Sequence, residues 1–355
     1  MKKNAAVIGY GGMGAGFHVK NILTSDVVQL AGIYDIDPAK QAKAAADGVK
    51  VYESREALLA DPAIDMVTIA TPNDVHEEIA VAALEAGKNV ISEKPVTLSL
   101  ESLERMIAAA KKAGKVFSVH QNRRFDVDAM AMKQIHDSGE IGKVINIESR
   151  IHGSRGIPSD WRGIKKYGGG MLYDWGVHLI DQMLWMIPGK VSSVYANMRN
   201  VINEKVDDYF HIMLRFESGM VAEIELGTYY LTDREHWFER HWFLGGDKGS
   251  AYVDGFEPVG KIARTEHLLK NVGSKRTITA AGPTRSFGPP PEGLILIEDI
   301  PAANTKHEDY FKNYLNALEG KEEFLVKIEE TRRVLRLMDA IRESARTGKS
   351  VDFES

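Results

Sequence analysis

The sequence predicts an α/β protein with two domains, the first of which contains a doubly wound parallel sheet. Short β-branched runs alternate with amphipathic helical stretches through the first third of the chain. A Gly-x-Gly-x-x-Gly run follows the first of these runs, and longer alternating strands begin near residue 191. A chain of 355 residues is too long for one ordinary core, so we place the two domains at residues 1–122 and 123–355.

The predicted parallel strands of the first domain lie within five runs: AAVIG, VVQLAGIYD, DMVTIATP, NVISEKP and KVFSVHQN. Helical stretches such as DVHEEIAVAALEAG and SLESLERMIAAAKKAG lie between them and end at Gly87 and Gly114. Glycine is the expected residue just past a helix C-terminus. Repeated strand-helix-strand units require parallel strands with crossover helices, which gives a doubly wound sheet.

The second domain has a different pattern of apolar and polar residues. Apolar residues alternate with polar ones in its longer strands, as in Phe210, Ile212, Leu214 and Phe216. Hairpin turns are predicted at residues 217–219 and 245–249, so we expect an antiparallel sheet with one apolar face. The Gly- and Pro-rich stretch near 270–301 is predicted to be an irregular excursion or a lid, or a solvated surface loop. Two segments near the end of the chain are helical by period: EDYFKNYLNALEG and EETRRVLRLMDAIRESARTGKS.

Composition excludes several function classes. The formal net charge is −5 and no Lys/Arg-rich run is present, so nucleic acid is not an expected partner. Cysteine is absent, which removes disulfides, thiolate nucleophiles and Cys-ligated zinc. The apolar stretch after the Met1-Lys2-Lys3 start is too short for a signal peptide or a membrane span. We therefore expect a cytoplasmic protein with no membrane partner.

The glycine run predicts a dinucleotide site. Gly9 permits the tight turn, Gly11 lets the backbone approach a pyrophosphate, and Gly14 allows close packing of the following helix. Asp35 ends the next strand at the distance the dinucleotide fingerprint requires. Its carboxylate accepts hydrogen bonds from a ribose 2′-hydroxyl and repels a 2′-phosphate, so NAD is favoured over NADP. A purely structural glycine turn is the alternative.

Lys94 is the first candidate for chemistry. It lies in SEKP at the carboxyl end of a predicted strand, where doubly wound sheets form their ligand crevice. A lysine there reaches a bound ligand, and Pro95 fixes the backbone after it. The sequence leaves open whether the Lys94–Pro95 peptide bond is cis or trans. The alternative is a surface lysine that ends a strand.

A second candidate group lies on the apolar helix in GGGMLYDWGVHLIDQMLWM. Asp174, His178 and Asp181 recur at i, i+4 and i+7, which places them on one stripe of a buried helix. Histidine can take a proton from a hydroxyl, and a carboxylate one turn away can orient it. A satisfied core histidine is the alternative. These spacings form no closed ligand set, so no metal is expected.

Aromatic residues of the second domain could form a stacking wall for a sugar ring or belong to the core and interfaces: Trp161, Tyr173, Trp175, Tyr229, Tyr230 and Trp237. The segment HQNRRFD follows the fifth strand. Residues 122–124 could therefore line the crevice, although structural ion pairing explains them equally well.

Several motifs occur in an order typical of one family. These are the Gly9–Gly14 run, Asp35 and the segments ATPNDVH, SEKP, QNRRF, DWR and GGGMLYDWGVH. Over essentially its whole length the chain resembles the glucose-fructose oxidoreductase/inositol dehydrogenase/rhizopine catabolism (Gfo/Idh/MocA) family. The ordered combination is far more specific than any one motif.

The resemblance implies an N-terminal Rossmann domain and a C-terminal α/β domain with a large, mostly antiparallel open sheet that mediates dimer or tetramer contacts. It implies a catalytic set of Lys94, Asp174 and His178. It implies contacts to the cofactor from Gly9, Gly11, Gly12, Met13, Gly14, Asp35, Thr71, Pro72, Asn73, His76, Glu93, Lys94, Trp161 and Arg162. Substrate contacts carried over in the same way are Lys94, Asn122, Arg124, His152, Asp174 and His178.

The expected activity is NAD-dependent oxidation of a secondary hydroxyl on a sugar or glycoside, at a ring carbon such as C3, with NAD either exchanged or retained and recycled. In this hypothesis His178 removes the hydroxyl proton, Asp174 orients His178, and Lys94 stabilises the alkoxide. Two alternatives stay open. One is an inositol dehydrogenase that uses the same residues, and the other is a non-catalytic NAD(H)-sensing protein.

Overall fold

The first domain is built on a five-stranded parallel sheet. The computed structural model describes residues 2–231, 234–268, 276–285 and 288–354. The strands are β1 Lys3–Ile8, β2 Val28–Tyr34, β3 Met66–Ile69, β4 Asn89–Ser92 and β5 Phe117–Val119. They lie in the order β2-β1-β3-β4-β5, and every neighbouring pair is parallel. The five predicted strands and the parallel sheet are confirmed.

Crossover helices cover this sheet. They are α1 Lys20–Thr24, α2 Pro38–Ala46, α3 Arg55–Ala60, α4 His76–Glu85 and α5 Leu100–Ala113. A π-helical segment, Gly14–Val19, leads directly into α1. Gly87 and Gly114 follow α4 and α5 with φ of 77° and 62°, the left-handed conformation that glycine adopts without strain.

The second domain is built on a nine-stranded sheet. Its strands are β6 Val144–Gly153, β7 Val191–Arg199, β8 Tyr209–Phe216, β9 Val221–Gly227, β10 Phe238–Gly246, β11 Gly249–Asp254, β12 Val259–Arg264, β15 Leu296–Asp299 and β16 Val351–Asp352, and a separate hairpin consists of β13 Arg276–Thr279 and β14 Gly282–Arg285. The sheet order is β15-β12-β11-β10-β6-β9-β8-β7-β16. Within this sheet, β6 and β9 form the only parallel pair of described strands. Both predicted hairpin turns are confirmed, between β8 and β9 and between β10 and β11.

The described part of the second domain contains four α-helices: α6 Val127–Ser138, α7 Val177–Met186, α8 Asp309–Leu318 and α9 Ile328–Thr347. A π-helical turn, Leu172–Gly176, precedes α7. The apolar face of the large sheet is buried under α7 and α9, which contact each other, and Phe210, Ile212 and Leu214 are fully buried there. Among the described helices none is long and apolar enough to cross a membrane.

The helix α8 packs against the first domain although it lies late in the sequence. Tyr310, Phe311 and Tyr314 share a buried cluster with Val7 and Ile91 of the parallel sheet. The Tyr310 hydroxyl also donates to the carbonyl oxygen of Val119 at 3.1 Å. The two domains therefore share a continuous apolar contact, and their relative position is fixed by packing.

The Gly- and Pro-rich stretch is more regular than predicted. It contains the β13–β14 hairpin and the edge strand β15, which pairs with β12. Residues 269–275 and 286–287 lie outside the described residues. The prediction of an irregular excursion is therefore wrong for 276–285 and 296–299, where backbone pairing outweighs a composition typical of loops.

Candidate active site

Three adjoining cavities lie among the described residues where loops after the parallel strands of the first domain meet residues 160–178 of the second. The Asp35 cavity extends from Asp35 to Trp161. The Lys94 cavity, of about 550 Å³, contains Lys94, Asp174 and His178. Thirteen residues predicted to contact cofactor or substrate line the Lys94 cavity: Gly11, Gly12, Met13, Thr71, Pro72, Asn73, Glu93, Lys94, Asn122, Trp161, Arg162, Asp174 and His178.

The glycine loop fits a dinucleotide. A Cβ on Gly9 would lie 2.4 Å from the Ala70 carbonyl oxygen, and its φ is +99°. A Cβ on Gly14 would lie 1.9 Å from the Gly9 carbonyl oxygen, so only glycine permits the helix to start this close to the strand. Positions 11 and 12 face open space, with nothing within 4 Å of an added Cβ. The loop is therefore tight against the protein and open towards the cavities, as approach to a pyrophosphate requires.

Asp35 lines its cavity with a carboxylate that the backbone orients. Tyr10 N donates to Oδ2 at 2.6 Å and Asp37 N donates to Oδ1 at 2.8 Å. Each oxygen keeps a lone pair for a ribose hydroxyl. The sequence interpretation missed Arg55, a cation that lines the same cavity. Glu78 accepts from Arg55 at 2.6 Å, so the guanidinium already has a carboxylate partner.

Thr71, Pro72 and Trp161 line both the Asp35 cavity and the Lys94 cavity, so these two cavities are continuous. Gly14 and His76 are the exceptions among the predicted cofactor contacts, because neither lines any of the three cavities. Gly14 packs against the Gly9 carbonyl, and His76 is fully buried. Its ring lies between carbonyl oxygens, with Nε2 2.9 Å from Thr71 O and Nδ1 3.1 Å from Pro95 O. His76 therefore supports the loops that form the site and does not itself line it.

Lys94 projects into the cavity from the loop after β4, and its peptide bond to Pro95 is cis. Its ammonium donates to the backbone oxygen of Asp174 at 2.6 Å and to Oδ1 of the same residue at 3.3 Å. Burial lowers the pKa of Lys94, and the carboxylates of Asp174 and Glu93 oppose that shift. Two of the three ammonium protons are thus placed by the protein, and one is left for a ligand.

Asp174 joins three cations. Its Oδ1 contacts Lys94, while Oδ2 accepts from Arg162 Nε at 2.8 Å and from an Arg155 nitrogen at 3.4 Å. Burial would raise the pKa of the Asp174 carboxyl, but the charges of Lys94 and Arg162 outweigh burial and lower it. The carboxylate is therefore ionised and holds the cations in place.

The prediction that Asp174 orients His178 is wrong. No hydrogen bond joins the two side chains, and His178 Nδ1 is buried without a partner among the described residues. Asp174 lies in the π-helical turn, which carries about one residue more per turn than an α-helix and breaks the i, i+4 alignment. Burial first, and then the charges of Lys94 and Arg123, lower the pKa of His178 well below its ordinary value. The imidazole is therefore neutral near pH 7.

Glu93 belongs to a buried cluster that the sequence interpretation missed. Its Oε1 is 2.6 Å from His18 Nε2 and 2.9 Å from His120 Nδ1, and its Oε2 accepts from Lys94 N at 3.1 Å. Burial would raise the pKa of Glu93, but the two histidines lower it well below its ordinary value. Two ligand atoms of one tetrahedral metal ion are roughly 3.3 Å apart. The 2.6 Å between Glu93 Oε1 and His18 Nε2 is shorter than this, and it is the distance of a hydrogen bond. The cluster anchors the backbone at Lys94.

Two predicted substrate contacts lie away from the cavity, and each prediction is corrected. Arg124 is fully buried and donates to both oxygens of Asp181 at 2.7 Å, and to Glu330 at 2.8 Å. Its guanidinium is thus occupied by structural ion pairs, the alternative the sequence left open, and this removes Asp181 from the site as well. His152 lies on β6, with its Nε2 3.0 Å from Glu225.

The aromatic residues of the second domain divide between the two interpretations. Trp161 and Trp175 line the Lys94 cavity. Tyr173 donates to Leu98 O at 3.1 Å, and Tyr229 packs against Tyr230, with their ring centres 4.7 Å apart. The side chain of Trp237 is half exposed and stacks on Phe238. Only two of the six are therefore in position to contact a ligand in this cavity.

Comparison with known families agrees with the geometry. Residues 3–121 match a family model described as an oxidoreductase family with an NAD-binding Rossmann fold, and residues 129–252 match the GFO/IDH/MocA C-terminal domain. The chain belongs to the GFO/IDH/MocA family of oxidoreductases. The doubly wound sheet and the large, mostly antiparallel sheet are the two halves of this family architecture.

Several known proteins are similar to this chain over most of their length. A solved structure of an NAD-binding protein from Listeria innocua is 39% identical, with a TM-score of 0.89 and coverage of 99% of this chain and 100% of that chain. A myo-inositol 2-dehydrogenase from Thermotoga maritima is 30% identical in an alignment 269 positions long that covers 73% of this chain and 78% of that protein. The scyllo-inositol 2-dehydrogenase (NADP(+)) IolW of Bacillus subtilis is 27% identical in an alignment 361 positions long that covers 98% of this chain and 95% of that protein.

Proposed function

We propose that this oxidoreductase uses NAD to oxidise a secondary hydroxyl of a sugar or glycoside, at a ring carbon such as C3. The observation that carries the proposal is the meeting of Lys94, Asp174 and a neutral His178 in a cavity continuous with the Asp35 cavity. An alcohol in this cavity lies within reach of a base (His178), a cation (Lys94) and the glycine loop. These are the groups that removal of a proton and a hydride requires.

His178 acts as the base in this mechanism. Its low pKa keeps the imidazole free of a proton, so it can accept one from the alcohol. Lys94 donates its free N–H to the alcohol oxygen and stabilises the negative charge that develops there. NAD, when bound, supplies the acceptor for the hydride. Asp174 holds Lys94 and Arg162, which replaces the role in orienting His178 expected from the sequence.

The cofactor preference rests on Asp35. A 2′-phosphate would meet a carboxylate there, while a ribose hydroxyl would donate to it. Arg55 is the cation nearby that could favour NADP, but Glu78 pairs with it. IolW carries NADP(+) in its name, so members of the family differ in this property. We assign to the cofactor those predicted contacts that line the two continuous cavities: Gly9, Gly11, Gly12, Met13, Asp35, Thr71, Pro72, Asn73, Glu93, Lys94, Trp161 and Arg162.

Oligomerisation through the open face of the nine-stranded sheet is part of the proposal. Tyr195 on β7, Met213 on β8 and Tyr252 on β11 are exposed apolar side chains on this sheet. A second copy of the chain would remove them from water, which is favourable for apolar surface. We propose a homodimer or homotetramer.

Inositol oxidation is the second candidate, favoured by the inositol dehydrogenases among the similar proteins. The same base and cation would serve a carbocyclic ring. The experiment is a panel of glucosides, galactosides and inositols, with and without added NAD, monitored by the absorbance of reduced nicotinamide. The ratio of kcat/KM values separates sugars from inositols, and formation of NADH without added NAD reveals a retained cofactor.

His178→Ala tests the assignment of the base. We expect at least about a 100-fold loss of kcat, because proton removal in the transition state is lost, while NADH binding remains. His267→Ala, a change of the same type at an exposed position, is the control. Unchanged turnover in His178→Ala would contradict the assignment. Tight NADH binding with no oxidation of any alcohol would favour a sensor of NAD(H).

A further inference from the structure

A third cavity adjoins the Lys94 cavity, and the proposed chemistry does not use it. This Phe256 cavity has a volume of about 540 Å³ and an aromatic wall formed by Trp175, Phe238 and Phe256. Trp175, Arg123 and Arg155 line both this cavity and the Lys94 cavity, so the two are adjacent. A molecule whose hydroxyl lies at Lys94 can therefore extend into the Phe256 cavity.

Basic side chains predominate in the Phe256 cavity. Arg123, Arg155, Lys306 and His307 line it, and Asp126 is the one carboxylate among its described lining residues. Both oxygens of Asp126 are occupied, one by Arg123 at 2.9 Å and the other by His307 Nε2 at 2.7 Å. The carboxylates that pair with the other two cations lie outside the lining of this cavity: Asp174 Oδ2 is 3.4 Å from Arg155, and Glu308 Oε1 is 3.9 Å from Lys306 Nζ.

Arg155 has unused hydrogen-bonding capacity. Its nearest carboxylate oxygen, Oδ2 of Asp174, is 3.4 Å away and is held more closely by Arg162 at 2.8 Å. The Nε atom of Arg155 is buried with no partner among the described residues. Burial and the neighbouring charges of Arg162 and Arg123 lower the pKa of Arg155, against the effect of Asp174. A buried donor without a partner is costly, and a second acceptor at this place would relieve that cost.

We infer that the Phe256 cavity binds an anionic substituent, a carboxylate or a phosphate, of the ring that is oxidised at Lys94. The inference rests on the proposed function and narrows its substrate class to acidic sugars or cyclitols. Arg155 and Lys94 contact opposite oxygens of the Asp174 carboxylate, so one carboxylate separates the cation at the hydroxyl from the cation at the anionic group. Arg155 offers the planar fork that matches a carboxylate or phosphate.

The aromatic wall suits the ring that would carry this group. The Trp175 and Phe238 ring centres are 5.2 Å apart, and Phe238 stacks on Phe256 at 6.0 Å. The Arg155 guanidinium lies 4.8 Å from the centre of the Phe238 ring. The C–H faces of a pyranose or cyclitol pack on such rings, while the cations bind its acidic substituent. A neutral sugar would leave Arg155 without this acceptor.

The test compares matched probes on the full-length protein with NADH bound. Methyl glucuronide is paired with methyl glucoside for the carboxylate arm, and glucose 6-phosphate is paired with glucose for the phosphate arm. Calorimetry measures the Kd of each probe, and formation of NADH in a separate assay measures oxidation. We expect the anionic member of at least one pair to bind about tenfold more tightly, as charge-assisted hydrogen bonds allow. The pair with the larger ratio identifies the anionic group.

Substitutions test whether the preference for anionic probes arises from the Phe256 cavity. Arg155→Gln should reduce the ratio of anionic to neutral affinity about tenfold, while Arg155→Lys should retain part of it. Lys306→Gln changes a side chain that is 77% exposed, so the fold is kept, and it should reduce the ratio by about threefold. Arg346→Gln, on the exposed end of α9, is the control of equal charge change and should leave the ratio unaltered.

The outcomes separate this inference from the proposed function. Ratios near one for both pairs in the unmodified protein, or ratios that Arg155→Gln and Lys306→Gln leave unchanged, would overturn the anion site. If neutral probes are oxidised as well as acidic ones, the inference fails and the oxidoreductase function stands. If acidic probes bind tightly but no probe is oxidised, the anion site stands and the proposed function fails.

Discussion

Acidification should destabilise this protein steeply between about pH 7.5 and about pH 5.5 because three histidines are buried in neutral form. Burial lowers the pKa of His76, of His120 to about 4, and of His178 well below its ordinary value. In the unfolded chain each of the three titrates near 6.5. The unfolded state therefore binds protons over this interval that the folded state does not, and the free energy of unfolding falls as the pH is lowered.

The magnitude follows from the number of protons. His120 and His178 remain neutral in the folded state over this interval and contribute about 1.4 kcal/mol each, or about 3 kcal/mol together, and His76 adds to the loss in the same direction. Asp207 acts in the opposite direction, because burial raises the pKa of its carboxyl to about 6, and the folded state gains a proton there. The proton gained by Asp207 offsets about 1 kcal/mol, so a net loss of at least about 2 kcal/mol in the free energy of unfolding is expected.

Urea unfolding followed by tryptophan fluorescence, at several pH values and one protein concentration, measures this loss. His178→Gln removes one of the titrating groups, so its loss over the same interval should be smaller by about 1.4 kcal/mol. His267→Gln, at an exposed position, should lose as much as the unmodified protein. A stability that is flat over the interval, or equal losses in His178→Gln and the unmodified protein, would refute the assignment of a buried neutral base.

Two further predictions concern Asp35 and the glycine loop. Asp35→Ser should raise the ratio of kcat/KM for NADP to that for NAD by at least about tenfold, because the carboxylate that repels a 2′-phosphate is removed; an unchanged ratio in steady-state assays would contradict this role. Gly14→Ala should lower the free energy of unfolding by about 1–3 kcal/mol, because its Cβ would lie 1.9 Å from the Gly9 carbonyl oxygen. Gly16→Ala, where an added Cβ meets nothing within 4 Å, is its control in the same π-helical segment and should not destabilise; equal losses in the two variants would refute the argument.

The parallel sheet was predictable in detail because its signals are local. Each strand is a short apolar run bounded by turn residues, and glycines mark the ends of α4 and α5. The order of glycines and Asp35 follows from the same local rules, since the cofactor loop is contiguous in sequence. In the stretch near 270–301 composition misled, because strand β15 depends on pairing with β12, which a local pattern does not reveal.

The site itself was predicted as a set of residues but not as a network. Lys94 and His178 were found from their places at a strand end and on an apolar helix. The partners of Asp174 were not, because a π-helical turn rotates its carboxylate away from His178 and towards Lys94, Arg155 and Arg162. Arg124 was misassigned because its partner Glu330 is 206 residues further along the chain.

The sequence by itself determined the fold class, the dinucleotide loop and the identity of the groups that could carry chemistry, because each depends on periodicity and short spacing. Only the tertiary structure decided which charges are paired. The Glu93 cluster brings together His18 and His120, which are far apart in the chain. The Phe256 cavity forms where residues 123, 125–127, 155, 175, 238, 256 and 305–307 meet. Burial and electrostatic pairing are properties of three-dimensional packing. The neutral state of His178 and the unpartnered Nε donor of Arg155 therefore appear only once the chain is folded.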